Sequence, residues 1–312
     1  MIVLAGLPVH LYREVLGQVC PHITRDGVMI GSVCAYGGFS WLVKEAMGAA
    51  RAAKACVFGC QSIPWACGTV AYGKTGRVMG AKRHLHVAFD NLAACTVADD
   101  PLATVGAVLR IEKVEQTDFL TCTLWPNNPS FHPTVLWGLF ADWDMVTPYQ
   151  RSELPARIYA DCTRASADCV EAMDVEMQAL VAAVRAKQPD NPYLHMARPL
   201  KECLLGHYAE LIGDPTDLYS IFRTNQAYAR HFITYKEVEG GVVPDVTHKF
   251  FTTDLPYGLV MFKDLALTHG VPTPVIDKLI LWNQRMVSKE FMVDGKLTGK
   301  DIAEAVIPSS YD

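Results

Sequence analysis

The chain has 312 residues, half of them apolar and a fifth charged, which is enough for two domains with sizeable cores. Its net charge of −5 and its scattered Lys and Arg exclude the basic field that nucleic acid or an acidic membrane would need as a partner. The ten cysteines include no CxxC pair, and Cys56, Cys60 and Cys67 have no His at metal-ligand spacing, so they are expected to be reduced, mostly buried thiols of a cytoplasmic protein without a metal site. The opening MIVLAGLPVH is too short to span a bilayer and no small-residue cleavage site comes after it, so neither a membrane segment nor a signal peptide is expected.

Residues 1–8 read as a buried strand, because a continuous apolar run ends at Gly6 and Pro8. A helix with Leu11, Val15, Leu16 and Val19 on one face comes next. Val28–Gly31 is a second strand, and Gly37-Gly38 turns into a helix carrying Phe39, Leu42, Val43 and Met47. Strand and helix alternating at this length predict a parallel α/β sheet. Ala55–Phe58, Trp65–Ala71 and Gly76–Met79 read as short strands between Gly and Pro turns, and the basic stretch Lys82-Arg83-His84 as a solvated edge. Pro101–Leu109 is predicted as a helix with Asp100 as its N-cap and Pro101 at its first position.

Beyond about Thr121 the periodicity is helical. Ile158, Cys162, Cys169, Met173, Met177, Leu180 and Val184 recur at helical spacing and predict one long amphipathic helix over Pro155–Lys187. Further helices are expected at Leu200–Ile212, Leu218–Asn225, Tyr257–His269 and Val275–Phe291, with Val238–Asp245 as a Gly-rich loop. The expected division is a partial sheet domain over 1–122 and an all-helical domain over 123–312.

Two segments concentrate polar chemistry. Trp125–Pro133 carries Asn127, Asn128 and His132, groups that are costly to bury unless each finds a partner. It reads either as a ligand site at a domain boundary or as a capped loop with a half-exposed His. His248–Tyr257 carries Lys249 and Asp254. These either pair with one another at a helix start, with Asp254 as cap, or hold a substrate carboxylate and orient a His. No GxGxxG, Walker loop, HExxH or GxSxG occurs, which argues against a P-loop NTPase, a zinc hydrolase or a serine hydrolase.

Asn127-Asn128 together with His132-Pro133 resembles the NNxxxHP-type stretch that opens the helical domain of the octopine/nopaline (opine) dehydrogenases. Cys60–Cys67 (CQSIPWAC) resembles FETLPWAC of the octopine-type branch. Gly240–Asp245, Asp254–Gly258, Asp277–Trp282 and Val293–Asp301 are similar to further stretches of that branch, in order along nearly the whole chain. The resemblance implies a Rossmann-like parallel-sheet domain and, after it, an all-α domain. It also implies NAD- or NADP-dependent reductive condensation of a pyruvate-like 2-oxo acid with an amino acid through an imine. By position it makes His132 the catalytic histidine and Asp254 its partner acid. Lys249 stands where the family usually has Arg, and Tyr36, Gln61, Ser62 and Asn128 fall at substrate-binding positions. Gln61 replaces an acid, so a small or uncharged amino acid is expected in preference to arginine.

In the family a Gly-rich loop and its βαβ unit precede the strand that matches Met1–Leu7. On that basis the chain is expected to be an N-terminally truncated member, with Leu7 and Pro8 as the cofactor-site residues that remain and with weakened dinucleotide binding. A non-catalytic relative that binds a small molecule or a partner is the alternative expectation, and a reductase acting on a 2-oxo acid without an amine is a third.

Overall fold

The computed structural model describes residues 1–125 and 128–311, and the chain falls into two units, Met1–Trp125 and Pro126–Asp312. Pro126 and Asn127, part of the NNxxxHP stretch, lie outside the described residues.

In the first unit the apolar opening run makes β1 (Ile2–Leu4), and the turn through Pro8 leads to α1 (Tyr12–Val19). Then come β2 (Met29–Ser32), α2 (Phe39–Met47), the single turn α3 (Ala49–Ala52) and β3 (Cys56–Cys60). Phe39, Leu42, Val43 and Met47 of α2 are buried as their helical spacing predicts, whereas in α1 the buried residues are Tyr12 and Leu16, and the expected Leu11, Val15 and Val19 are only half-buried. A hairpin of β4 (Trp65–Ala71) and β5 (Thr75–Ala81) stands apart as its own two-stranded sheet. The chain continues through β6 (His84–Asp90), α4 (Pro101–Leu109), β7 (Lys113–Thr117) and α5 (Phe119–Leu124). The predicted cap is present: the Asp100 carboxylate accepts from Ala103 N at 2.9 Å, with Pro101 in the first turn.

The main sheet has the order β1-β2-β3-β6-β7, parallel throughout except at β3–β6. The reversal comes from the connection: residues 61–83 between β3 and β6 form the β4–β5 hairpin and no helix, so the chain re-enters the sheet at the end where β3 left it. β6 and β7 have no counterpart in the strands expected from sequence, although Leu85 and Val87 alternate inward with His84 and His86. Met29, Phe58, Leu85, Val87, Val105 and Leu109 form the core between sheet and helices.

The second unit contains α6 (Asn128–Phe140), α7 (Arg164–Lys187), α8 (Leu200–Tyr208) and α9 (Leu218–Thr224). After a hairpin of β8 (Tyr235–Val238) and β9 (Gly241–Pro244) come α10 (Lys249–Thr252), α11 (Val260–His269) and α12 (Pro274–Met286). Two expectations are corrected. The long helix starts at Arg164, not Pro155, because Thr163 Oγ1 caps it by accepting from Ser166 N at 3.0 Å. Ile158 and Cys162 are buried ahead of it in a turn where Arg157 is paired with Asp161, which imitates helical spacing. The stretch read as a Gly-rich loop is the β8–β9 hairpin, turned by Gly240 at φ +86° and extended into an isolated bridge between Tyr149 and Val242. The unit is otherwise helical, and its core gathers Val135, Leu136, Phe140, Ile158, Phe222 and Phe251. No helix among the described residues is long and apolar enough to cross a membrane.

Candidate active site

The polar segment after Trp125 is helix, not loop: Asn128–Pro133 are the first turns of α6. Pro133 lies inside that helix, where its missing N–H leaves one carbonyl of the preceding turn without its donor. His132 is buried on this helix at 5% exposure. Its partner comes from 122 residues further along: His132 Nδ1 lies 2.6 Å from Asp254 Oδ2, and Asp254 is 2% exposed.

Local geometry delivers Asp254 to that point. It opens the wide turn Leu255–Leu259, in which Leu259 N reaches back to Asp254 O at 2.9 Å and Tyr257 leaves helical angles (φ −108°, ψ 18°). Such one-turn widenings inside helices re-aim the residues around them. The turn packs against the start of α6 with almost no clearance. A Cβ on Gly258 would sit 2.3 Å from Pro129 Cβ, so only glycine permits this approach. The capping role considered for Asp254 is not the one it fills, since its side chain caps nothing. The preceding turn α10 is capped by His248, whose Nδ1 accepts from Phe250 N at 3.3 Å.

Aromatic rings enclose the imidazole. Phe250 lies with its ring centroid 4.1 Å from that of His132, and Tyr159 at 6.2 Å. Burial, reinforced by the nearby Asp254 charge, pushes the Tyr159 hydroxyl far above its ordinary range. Tyr159 therefore contributes shape and a neutral wall. Burial also lowers both His231 and His248, and in each case positive charge at Lys249 and His132 adds to the effect. His132, Lys249 and Asp254 are thus gathered within the second unit, ringed by two further histidines that are held toward the neutral form. Lys249 is exposed and makes no ion pair among the described residues. It does not pair with Asp254. Asn128 is the first residue of α6 and half-buried.

The remaining expected residues lie in the first unit, all at one edge of its sheet. β1, β2 and β3 run parallel, so the loops leaving their C-terminal ends emerge on the same side. Leu7 and Pro8 lie beyond β1, Tyr36 beyond β2, and Gln61 and Ser62 beyond β3. This is the carboxyl edge, where open α/β sheets take their ligands. Gln61 is buried at 4% exposure, its backbone N–H donating to His86 O at 2.9 Å. The basic stretch Lys82-Arg83-His84 is not uniformly solvated as expected. Arg83 and His84 are exposed, but Lys82 turns inward and donates from Nζ to Ser62 Oγ at 2.5 Å. Sequence reading missed the two rings beside His132 in the second unit and, in the first unit, the inward turn of Lys82. An inward Lys has no signature in pattern, whereas the Phe250-Phe251 pair beside Lys249 was a visible hint.

One further cluster bears on the expectation of no metal. His84, His86 and Glu115 place ligand-type atoms within 4.8 Å of one another on β6 and β7. Glu115 already accepts from Lys113 Nζ at 2.5 Å, and contacts from Lys113 and His84 hold its carboxyl below the usual range.

A Rossmann-like sheet unit preceding a helical unit with a buried His–Asp pair is the plan of a two-domain dehydrogenase. The family model for the α-helical domain of NAD/NADP octopine/nopaline dehydrogenases matches residues 115–287. The octopine dehydrogenase of Mizuhopecten yessoensis is 31% identical over 311 residues, 99% of this chain and 76% of the relative. The tauropine dehydrogenase of Arabella iricolor is 29% identical over 317 residues, covering 99% and 77%. A solved structure of octopine dehydrogenase with NADH and L-arginine is similar with a TM-score of 0.86 at 30% identity, over 99% of this chain and 75% of that one. The chain belongs to the octopine/nopaline dehydrogenase family and spans about three quarters of the length of these relatives.

Proposed function

We propose that this chain is an opine dehydrogenase-type oxidoreductase acting on CH–NH donors, which joins a 2-oxo acid to an amino acid by NAD(P)H-dependent reductive condensation. The observation that carries the reading is the buried 2.6 Å contact between His132 Nδ1 and Asp254 Oδ2 in a member of this family. Condensation requires an unprotonated amine at the carbonyl, departure of water, and a proton on nitrogen as the imine is reduced. With Nδ1 engaged by Asp254, Nε2 is the ring nitrogen that takes and returns these protons. Asp254 holds the ring in one tautomer and stabilises the imidazolium whenever it forms.

Lys249, exposed and unpaired with any carboxylate among the described residues, holds the carboxylate of the oxo acid as a point charge, without the two-pronged grip of Arg. Asn128 in the second unit and Tyr36, Gln61 and Ser62 in the first are assigned to substrate binding by their match to the family's positions. NAD(P)H, when bound, supplies the hydride that reduces the C=N bond. The residues of this chain that suit it are Leu7 and Pro8, next to Gly6, which has φ +69° and nothing within 4 Å of its Cβ position, so a flat group can approach the backbone there. The ten free thiols suit a reducing compartment, and we assign the protein to the cytoplasm.

The test is oxidation of NADH and of NADPH with pyruvate and a panel of amino acids, run on the wild type and on His132→Ala. Turnover that needs both substrates and is abolished in the variant, with cofactor binding retained, is the expected result. A fully active His132→Ala, or no turnover with any pair, overturns the assignment.

A further inference from the structure

Lys82 is the unexplained charge of the first unit. It sits in the two-residue link between β5 and β6, anchored by its backbone N–H to Pro64 O at 2.9 Å. Its ammonium has one hydrogen-bond partner among the described residues, Ser62 Oγ, and no carboxylate. The residue as a whole is of intermediate exposure, but burial dominates the surroundings of its charged end and brings its pKa down to about 8. The titratable groups facing it are the thiols of Cys34 and Cys60, and burial pushes Cys60 up to about 12, so that thiol stays uncharged. A desolvated ammonium that meets only a hydroxyl and thiols costs stability and returns nothing to the fold.

Its position gives it a use. Ser62 lies just beyond β3, Cys34 just beyond β2, and Lys82 precedes the antiparallel β6, so all three stand at the carboxyl edge of the parallel strands. Gln61 next to Ser62 carries no charge that could neutralise the lysine. A cation and a hydroxyl side by side offer N–H and O–H donors to one acid group. We propose that Lys82 and Ser62 form an anion-binding pair that takes the acid group, carboxylate or sulfonate, of the amine substrate. The identity of that ligand as the amine rests on the function proposed above, while anion binding by the pair does not.

Two arms test it. In the kinetic arm, pyruvate and NADH are held fixed while L-alanine, taurine and L-alaninamide are compared as amines. A carboxylate preference selects alanine, a sulfonate preference selects taurine, and the amide lacks the anion. Lys82→Met is expected to raise KM for the preferred acid about 10- to 100-fold, leave kcat within a few-fold, and erase the preference over the amide. Lys82→Arg is expected to keep the preference. In the binding arm, the same compounds are titrated into wild type and Lys82→Met by calorimetry, without turnover. Acid-selective binding lost in Lys82→Met supports the pair even if no amine is turned over, in which case only the functional reading falls. A purely structural lysine predicts the opposite pattern, a lowered melting temperature in Lys82→Met with the same acid-over-amide selectivity as wild type. That result, or equal binding of acid and amide by the wild type, overturns the proposal. If Lys82→Met does not fold, Ser62→Ala replaces it in both arms under the same criteria.

Discussion

Asp254→Asn isolates the charge at the centre of the site. The substitution keeps the shape of the side chain and its ability to accept from Nδ1–H, so packing around a residue that is 2% exposed is undisturbed. The loss is a carboxylate 2.6 Å from an imidazole that becomes positive in the proposed reaction, worth about 6 kcal/mol by Coulomb's law at an effective dielectric near 20. Desolvation of both buried groups offsets roughly one to two thirds of that, leaving about 2–4 kcal/mol of net stabilisation. At 1.4 kcal/mol per decade, kcat is expected to fall about 30- to 1000-fold. The amide can also donate to Nδ1 and so favour the tautomer that leaves a proton on Nε2, which acts in the same direction. The assay is initial-rate NAD(P)H oxidation with kcat and KM separated, together with fluorescence titration of the cofactor, whose affinity should hold. In His132→Ala the same substitution should cost almost nothing more, because two members of one unit are not additive. An Asp254→Asn enzyme within threefold of the wild-type kcat would refute the reasoning.

Other perturbations have equally definite outcomes. Lys249→Ala should raise KM for the oxo acid about 10- to 100-fold while leaving the melting temperature unchanged, because the side chain is exposed, and Lys249→Arg should retain or improve affinity through a bidentate grip; an unaltered KM in Lys249→Ala removes the residue from the site. Gly258→Ala places a Cβ 2.3 Å from Pro129 Cβ, so the turn that carries Asp254 must shift, with a loss of about 1–3 kcal/mol in stability and a fall in kcat; full activity at an unchanged melting temperature contradicts this. Alkaline pH should destabilise the fold. Burial pushes Cys56 and Cys60 to about 12 and Cys162, Cys169 and Cys203 to about 11, from an ordinary value of 9.0. Unfolded thiols lose their protons first, so the unfolded state binds fewer protons and stability falls as pH rises from about 9 to 11. Lys82, lowered to about 8, works in the opposite sense but is one group against five. Thermal melts under reducing conditions that stay flat across this range would show that the thiols are not as buried as described.

Much of this fold is legible because its signals are local. The alternation of strand and helix over residues 1–60, the face of α2, and the Asp100 cap with Pro101 behind it all derive from spacing and from the chemistry of single residues. Where local signals coincide by accident, they mislead. Ile158 and Cys162 extend the apolar period of α7 backwards, yet Thr163 supplies the hydroxyl that starts the helix. Gly240-Gly241 reads as a loop, although a positive φ at Gly240 is what closes a hairpin. His84–Asp90 alternates as a strand should, but lies between turn-rich segments that hide it.

The sequence by itself determined the family, through motifs in order along the chain, and singled out His132, Lys249 and Asp254 as candidates. It left open whether Asp254 caps a helix or partners a histidine, because both roles suit an acid ahead of an apolar run. Only the tertiary structure decided between them. A pair separated by 122 residues is joined by packing, here the fit of Gly258 against Pro129, and side-chain periodicity carries no information about such a contact. Lys82 shows the same division. In the sequence it is one basic residue among three, and only the reversal at β6 carries it to the carboxyl edge of the sheet, where among the described residues its ammonium meets Ser62 and no carboxylate.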